Sequence, residues 1–176
     1  MFVNIHGANE SSSRNEDAAS MLLGCHQRIR HFTEVALRLA EKSATPPAER
    51  ATAAQSVLRY YTEALPFHEA DENDSLHPRL QRVLPVGVLA DANETMVRQH
   101  TEIDALVANL ILEWRAMANN PSQENPSLLP RTQRLQELWT SHLQLEEEQV
   151  IPAMQKFLPA ADLRSMEAEM RARRQR

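Results

Sequence analysis

Cysteine is almost missing from the 176 residues: Cys25 stands alone, so no internal disulfide can form and nothing points to an oxidising compartment. Glycine is scarce as well, at three residues, and Asn-Gly turns, β-branched runs and period-two alternation are nearly absent, which argues against a sheet. Basic charge is in deficit. A formal net charge of −5 and a pI near 5.8 argue against nucleic acid or an anionic membrane as the main partner. The one basic cluster, from Arg171 to Arg176, is a tail. No apolar run is long enough to span a bilayer; the longest, Ala105 to Trp114, is interrupted by Asn109. The first twenty residues lack the apolar core of a signal peptide, so the expected address is the cytoplasm. The length suits one domain with a sizeable core.

Proline, by contrast, is plentiful at ten residues, and its positions divide the chain at Pro46-Pro47, Pro85, Pro121 to Pro130 and Pro159. Between them the apolar period is helical. Residues 1–12 read as a flexible arm, and Ser13 with Glu16 has capping-box spacing before a first helix striped by Leu22, Cys25, Ile29, Phe32, Ala36 and Leu39. Pro47 opens a second helix, in which Pro66 predicts a kink within a turn of His68. Asp91 and Glu94 suggest the cap of a third helix, and a fourth follows the proline-rich loop 119–130. The expected fold is all-α: an antiparallel, up-down-up-down four-helix bundle over residues 13–176, with a short C-terminal helix after Pro159.

Each long helix carries a histidine on its apolar stripe: His26, His68, His100 and His142. Glu72 and Asp104 follow two of them at i+4, roughly 40° around the axis, and an acidic run follows the last. A lone histidine on such a face is usually a hydrogen-bonded core residue. Four with three acids are another matter, because each unpaired buried polar group costs about 1–3 kcal/mol and a carboxylate costs more. Metal ions binding them all remove that cost. Seven ligands exceed one tetrahedral zinc and suit a dinuclear centre of iron, manganese or zinc. His31 and His77 lie about 140° and 180° around their helices from His26 and His68, and His6 lies in the arm, so none of these joins the set.

The segments Cys25-His26-Gln27-Arg28-Ile29-Arg30, Pro66-Phe67-His68-Glu69-Ala70-Asp71-Glu72, Gln99-His100-Thr101-Glu102-Ile103-Asp104 and His142 through Glu148 together resemble the hemerythrin-like (HHE cation-binding) domains. The resemblance runs from Met21 to Leu158 and implies a four-helix bundle around two non-haem iron ions. It implies His26 and His68 on one iron, His100 and His142 on the other, and Glu72 and Glu147 as bridges. Oxygen carriers of the family have a histidine where this chain has Asp104, which weighs against reversible oxygen carriage, although many bacterial relatives look similar in having a carboxylate there; the resemblance implies a di-iron protein that binds or senses oxygen, nitric oxide or peroxide, or handles iron in iron or redox homeostasis. As an iron ligand, Asp104 would favour the higher oxidation state; otherwise it would orient a ligand histidine.

The acid on the fourth helix needs a further argument. On a straight helix Glu146, not Glu147, shares the face of His142. Downstream, the apolar residues Val150, Ile151, Met154, Phe157 and Leu158 have slipped by about one position, which predicts a π-bulge between His142 and Glu147 with Glu147 turned inward. Two other readings are weaker. A ferritin-like di-iron oxidase needs two Glu-x-x-His motifs, and no histidine here has glutamate three residues before it. A metal-free helical interaction module would leave the buried polar groups unpaired.

Overall fold

The computed structural model describes residues 17–41, 45–122 and 125–175, and among these there is helix and no strand. Five helices follow one another: α1 (Ala18–Ala40), α2 (47–83), α3 (Val88–Asn119), α4 (128–157) and α5 (Ala160–Arg173). Asp17 caps α1, accepting the Ser20 N–H at 2.7 Å. The arm over 1–12 and the Ser13–Glu16 box expected from the sequence lie outside the described residues. Pro47 opens α2 in its first turn, where a missing N–H costs nothing. Helix α3 begins three residues before Asp91, because Gly87, at φ 100°, takes the left-handed turn that redirects the chain and its carbonyl accepts the Asp91 N–H.

Helix α1 packs on α2 and α4, α3 also packs on α2 and α4, and α5 lies across α1 and the middle of α2. Their apolar faces build two separate cores. One holds Ile29, Leu65, Ile103, Trp114, Trp139 and Leu143, the other Leu22, Leu76, Met96, Val150, Met154 and Met166. On every long helix a buried histidine stands between the two: Leu22, His26, Ile29 on α1; Leu65, His68, Leu76 on α2; Met96, His100, Ile103 on α3; Trp139, His142, Val150 on α4. The two cores are met in opposite order on successive helices.

Three π turns interrupt the helices, at Tyr60–Ala64, Asp71–Leu76 and Glu146–Val150. Each precedes a proline, and each is closed by a five-residue backbone bond: Leu65 N–H to Tyr60 O, His77 N–H to Glu72 O, and Ile151 N–H to Glu146 O. The residue after each donor is Pro66, Pro78 or Pro152. A proline cannot donate to the carbonyl four residues back and its ring crowds that group; a turn widened by one residue relieves the contact without ending the helix. The kink expected near His68 is therefore a π turn just ahead of Pro66.

Helix α5 is fastened by charge. The fully buried Asp71 carboxylate takes Arg173 Nη1 at 2.8 Å and Arg174 Nη2 at 2.6 Å, while Arg79 pairs with Glu169 at 2.5 Å. Arginine forks on a carboxylate fix position as well as charge. Replacing Asp71 with alanine removes the carboxylate that two guanidiniums share, leaving Arg173 with Ser75 Oγ and Arg174 with the Met170 carbonyl, so Asp71→Ala is expected to lower unfolding stability by about 2 kcal/mol, less than for a fully buried pair because both arginines reach water. Urea unfolding checks this; an unchanged midpoint would show that the Asp71 ion pairs do not hold α5.

Candidate metal centre

Six side chains meet in the layer between the two cores: His26 from α1, His68 and Glu72 from α2, His100 from α3, and His142 and Glu146 from α4, none more than 2% exposed. All four imidazoles turn Nε2 inward. His26 Nε2 lies 3.0 Å from Glu146 Oε2 and 4.0 Å from Glu72 Oε1; His68 Nε2 is 3.3 Å from Glu72 Oε1. On the other side His100 Nε2 is 3.1 Å from Glu72 Oε2, and His142 Nε2 is 3.1 Å from Glu146 Oε1. Two groups of ligand atoms result, each within 4.8 Å: His26, His68, Glu72 and Glu146, and then Glu72, His100, His142 and Glu146. The carboxylates belong to both.

The outer nitrogens explain the inward aim. His26 Nδ1 donates to Glu147 Oε1 at 2.8 Å, His100 Nδ1 to Asn73 Oδ1 at 2.9 Å, and His142 Nδ1 to Gln99 Oε1 at 3.0 Å. Oxygen acceptors at Nδ1 keep the proton there and leave a lone pair on Nε2. His100 Nε2 and His142 Nε2 then face each other at 3.1 Å. His26 Nε2, His68 Nε2, Glu72 Oε2 and both Glu146 carboxylate oxygens are buried without a hydrogen-bond partner. Such a cluster is costly as it stands, and a cation placed among these atoms satisfies all of them.

The electrostatics agree. Burial drives the His26 imidazole toward neutrality, but Glu146 and Glu72 outweigh it and raise its pKa to about 10. For His68, burial is overcome by Glu72, Cys25 and Glu146, raising the pKa to about 9. Glu72 is held well below the ordinary carboxylate value despite its burial, by the imidazoles of His68, His100 and His26 around it. Glu146 is lowered too: burial and Glu72 push it up, His142 and His26 pull harder. Without a metal, protons fill the place of the cation.

Two expectations need correction. Glu147 does not face the cluster; Glu146 does. The expected π turn exists, but it spans Glu146–Val150 and starts after the His142–Glu146 step, leaving that step α-helical. Glu147 is turned outward, where it binds His26 Nδ1 and takes Arg30 Nη2 at 2.9 Å, orienting the ring from behind. Asp104 also lies outside the cluster and is exposed. Helix α3 has no π turn, its buried seam runs Met96, His100, Ile103, Val107, and Asp104 falls at its edge. There it neighbours Glu69, whose pKa rises to about 7 through burial and then through the Asp104 charge and hydrogen bond.

A signal for Glu146 was present. His68-x-x-x-Glu72 and His142-x-x-x-Glu146 are each followed by a proline six residues after the glutamate, Pro78 and Pro152. The repeat puts the carbonyls of both glutamates in the same role, accepting the bond that closes each π turn. Asn73 and Gln99, chain neighbours of Glu72 and His100, carried no pattern of their own.

A family model described as the hemerythrin HHE cation binding domain matches residues 17–154, which contain all six residues of the cluster. No curated protein matches the chain.

The raised histidines set a pH dependence for metal-free protein. Their stabilising contribution is complete below the ordinary histidine value of 6.5 and is lost as pH rises through about 9 and about 10. The lowered Glu72 and Glu146 contribute above the ordinary 4.5 and lose their contribution in acid. Chelator-treated protein should thus melt highest between about pH 5 and 6.5 and progressively lower toward pH 10. A bound divalent cation replaces those protons and should remove the alkaline decline. Thermal melts with and without chelator check this; a flat profile for chelated protein from pH 6.5 to 10 would contradict it.

Proposed function

The chain belongs to the hemerythrin HHE cation-binding domain family, and from that premise we propose that it is a di-iron protein that binds or senses oxygen, nitric oxide or peroxide. The observation that carries the reading is the sharing of Glu72 and Glu146 by two adjacent groups of four ligand atoms. Two ions would account for every inward Nε2, with His26 and His68 holding one, His100 and His142 the other, and Glu72 and Glu146 available to both. Imidazole with carboxylate suits iron, and four protein ligands to each ion leave positions for a small ligand. Iron bound here would supply one-electron chemistry and a site for a diatomic molecule. The alternating order of the two cores along α1 to α4 supports the antiparallel bundle as its frame.

The protein's own groups set the conditions. Glu147, Asn73 and Gln99 fix three imidazoles from behind, so the ligand nitrogens are aimed before any ion arrives. Trp139 packs edge-on against His142, ring centroids 5.3 Å apart, and shields that side from water. Asp104 stands away from the ions in this reading, which leaves four histidines and two carboxylates as the set. Among the described residues no helix is long and apolar enough to cross a membrane, and the cytoplasm is the proposed location.

Anaerobic iron loading followed by elemental analysis tests the assignment. Wild-type protein is expected to hold about two irons per chain, and Glu146→Ala at most one. Glu147→Ala should keep the stoichiometry while weakening affinity about 10–100-fold, the usual cost of losing a partner behind a ligand histidine. Asp104→Ala should match the parent. Equal losses in Glu146→Ala, Glu147→Ala and Asp104→Ala would overturn the ligand assignment.

A further inference from the structure

The chain holds two tryptophans and two tyrosines. All four lie in one of the two cores as a connected string of rings, and the other core has none. The string begins at the metal layer. The Trp139 ring stands 5.3 Å from that of His142, and its indole N–H lies toward the Tyr61 hydroxyl, short of a full hydrogen bond. Tyr61 meets Tyr60 edge-on at 5.4 Å, with Trp114 as a branch 4.8 Å away. Tyr60 in turn stacks on the half-buried Phe32 at 4.2 Å and, at 6%, is the most exposed of the four.

We propose that Trp139, Tyr61 and Tyr60 form a one-electron relay, which gives the metal centre an electron when peroxide is reduced there and holds the resulting tyrosyl radical away from the ligands. The relay stands on the rings themselves, and its coupling to peroxide rests on the di-iron reading above.

Packing alone does not select these residues. A buried indole N–H without a partner carries a desolvation cost that phenylalanine or leucine would avoid, and both Trp114 Nε1 and Trp139 Nε1 are in that position. Indole and phenol are the side chains of this core that give up one electron most readily. An indole that has lost an electron is a cation; with no full hydrogen bond at Nε1, Trp139 keeps its proton and stays a strong oxidant of the next ring. Tyr61 can give up electron and proton together. Its hydroxyl is 2.7 Å from Thr33 Oγ1, and Thr33 lines a cleft that opens outward between α1 and α4, so the proton leaves through that hydroxyl to water.

The electrons balance. Reduction of hydrogen peroxide to two waters takes two electrons and two protons. Where the centre holds one ferrous and one ferric ion, it has one electron to give, and the second comes from Tyr61 through Trp139. The phenol releases one proton and water supplies the other. The products are two waters, a second ferric ion and the neutral Tyr61 radical. Exchange with Tyr60 brings the radical beneath Phe32, where a small enediol or phenol in solution returns an electron and a proton.

A laser flash on the metal-free full chain tests the relay first. Light at the red edge of the tryptophan band, where tyrosine does not absorb, ionises an indole whether buried or exposed, and Trp114→Phe leaves Trp139 as the single indole. Its radical absorption is expected to decay into phenoxyl absorption at a first-order rate independent of protein concentration. Tyr61→Phe, which removes one hydroxyl and keeps the ring, should slow that decay at least tenfold, and Thr33→Val at least threefold. In the second arm, iron-loaded protein oxidised by one electron per chain with ferricyanide is mixed with hydrogen peroxide and frozen. The parent is expected to show a tyrosyl radical by electron paramagnetic resonance, narrowed by ring-deuterated tyrosine and abolished by ascorbate. Trp139→Phe should lower its yield at least tenfold at unchanged iron content. No phenoxyl absorption after the flash, or the same decay rate with and without the Tyr61 hydroxyl, overturns the relay. No radical from peroxide, or equal yields in parent and Trp139→Phe, overturns the coupling to the centre. A positive flash result in a chain that takes up no iron would sink the di-iron reading and leave the relay supported.

Discussion

Two carboxylates and four imidazoles buried in one layer form the constraint on which this structure depends. A carboxylate in an apolar interior is tolerable only with compensating charge, and among the described residues no lysine or arginine pairs with Glu72 or Glu146. Their compensation comes from histidines, protonated or bound to a cation. This layer splits the apolar interior in two, so each core is built with the polar cluster as one of its walls. Stability of the fold and occupancy of the cluster are consequently linked: whatever binds these six groups also stabilises the chain against unfolding.

Proline fixes the geometry of that layer. In α2 and α4 a π turn contains the glutamate, whose carbonyl accepts the bond that closes it just before Pro78 or Pro152, giving both helices the same order of histidine, glutamate and proline. A π turn advances the helix by one extra residue, which returns Leu76 and Val150 to the apolar seam after the glutamate has faced the centre. Helix α3 supplies a histidine without a carboxylate and has no such interruption. Farther out, α5 clamps the π turn of α2 through Arg173 and Arg174 on Asp71, the residue next to Glu72. The arginine at 174 also reaches Cys25, which neighbours His26, so one helix end steadies two ligand-bearing segments.

Much of this was legible in the sequence. The 3.6-residue stripe identified four long helices and the histidine on each, because burial on a helix face is a local, periodic property. His68–Glu72 was legible for the same reason. The choice between Glu146 and Glu147 was not, since it depends on where a bulge begins, and the apolar slip downstream shows only that a bulge lies somewhere between His142 and Val150. The spacing from glutamate to proline would have decided it. Asp104 misled because i+4 from a buried histidine is inward only when the seam continues along that row; in α3 the seam leaves through Ile103 and Val107. Partners that act through a side-chain amide, Asn73 and Gln99, need three dimensions to be seen.

The central claim is that the shared glutamates join two cation sites into one centre. Anomalous diffraction from iron-loaded crystals, collected on either side of the iron edge, measures it directly. The account predicts two iron peaks per chain about 3.5–4 Å apart, with Glu72 and Glu146 between them and the four Nε2 atoms divided two and two. A single peak, or two peaks with Glu147 or Asp104 in contact and Glu146 turned away, would contradict it.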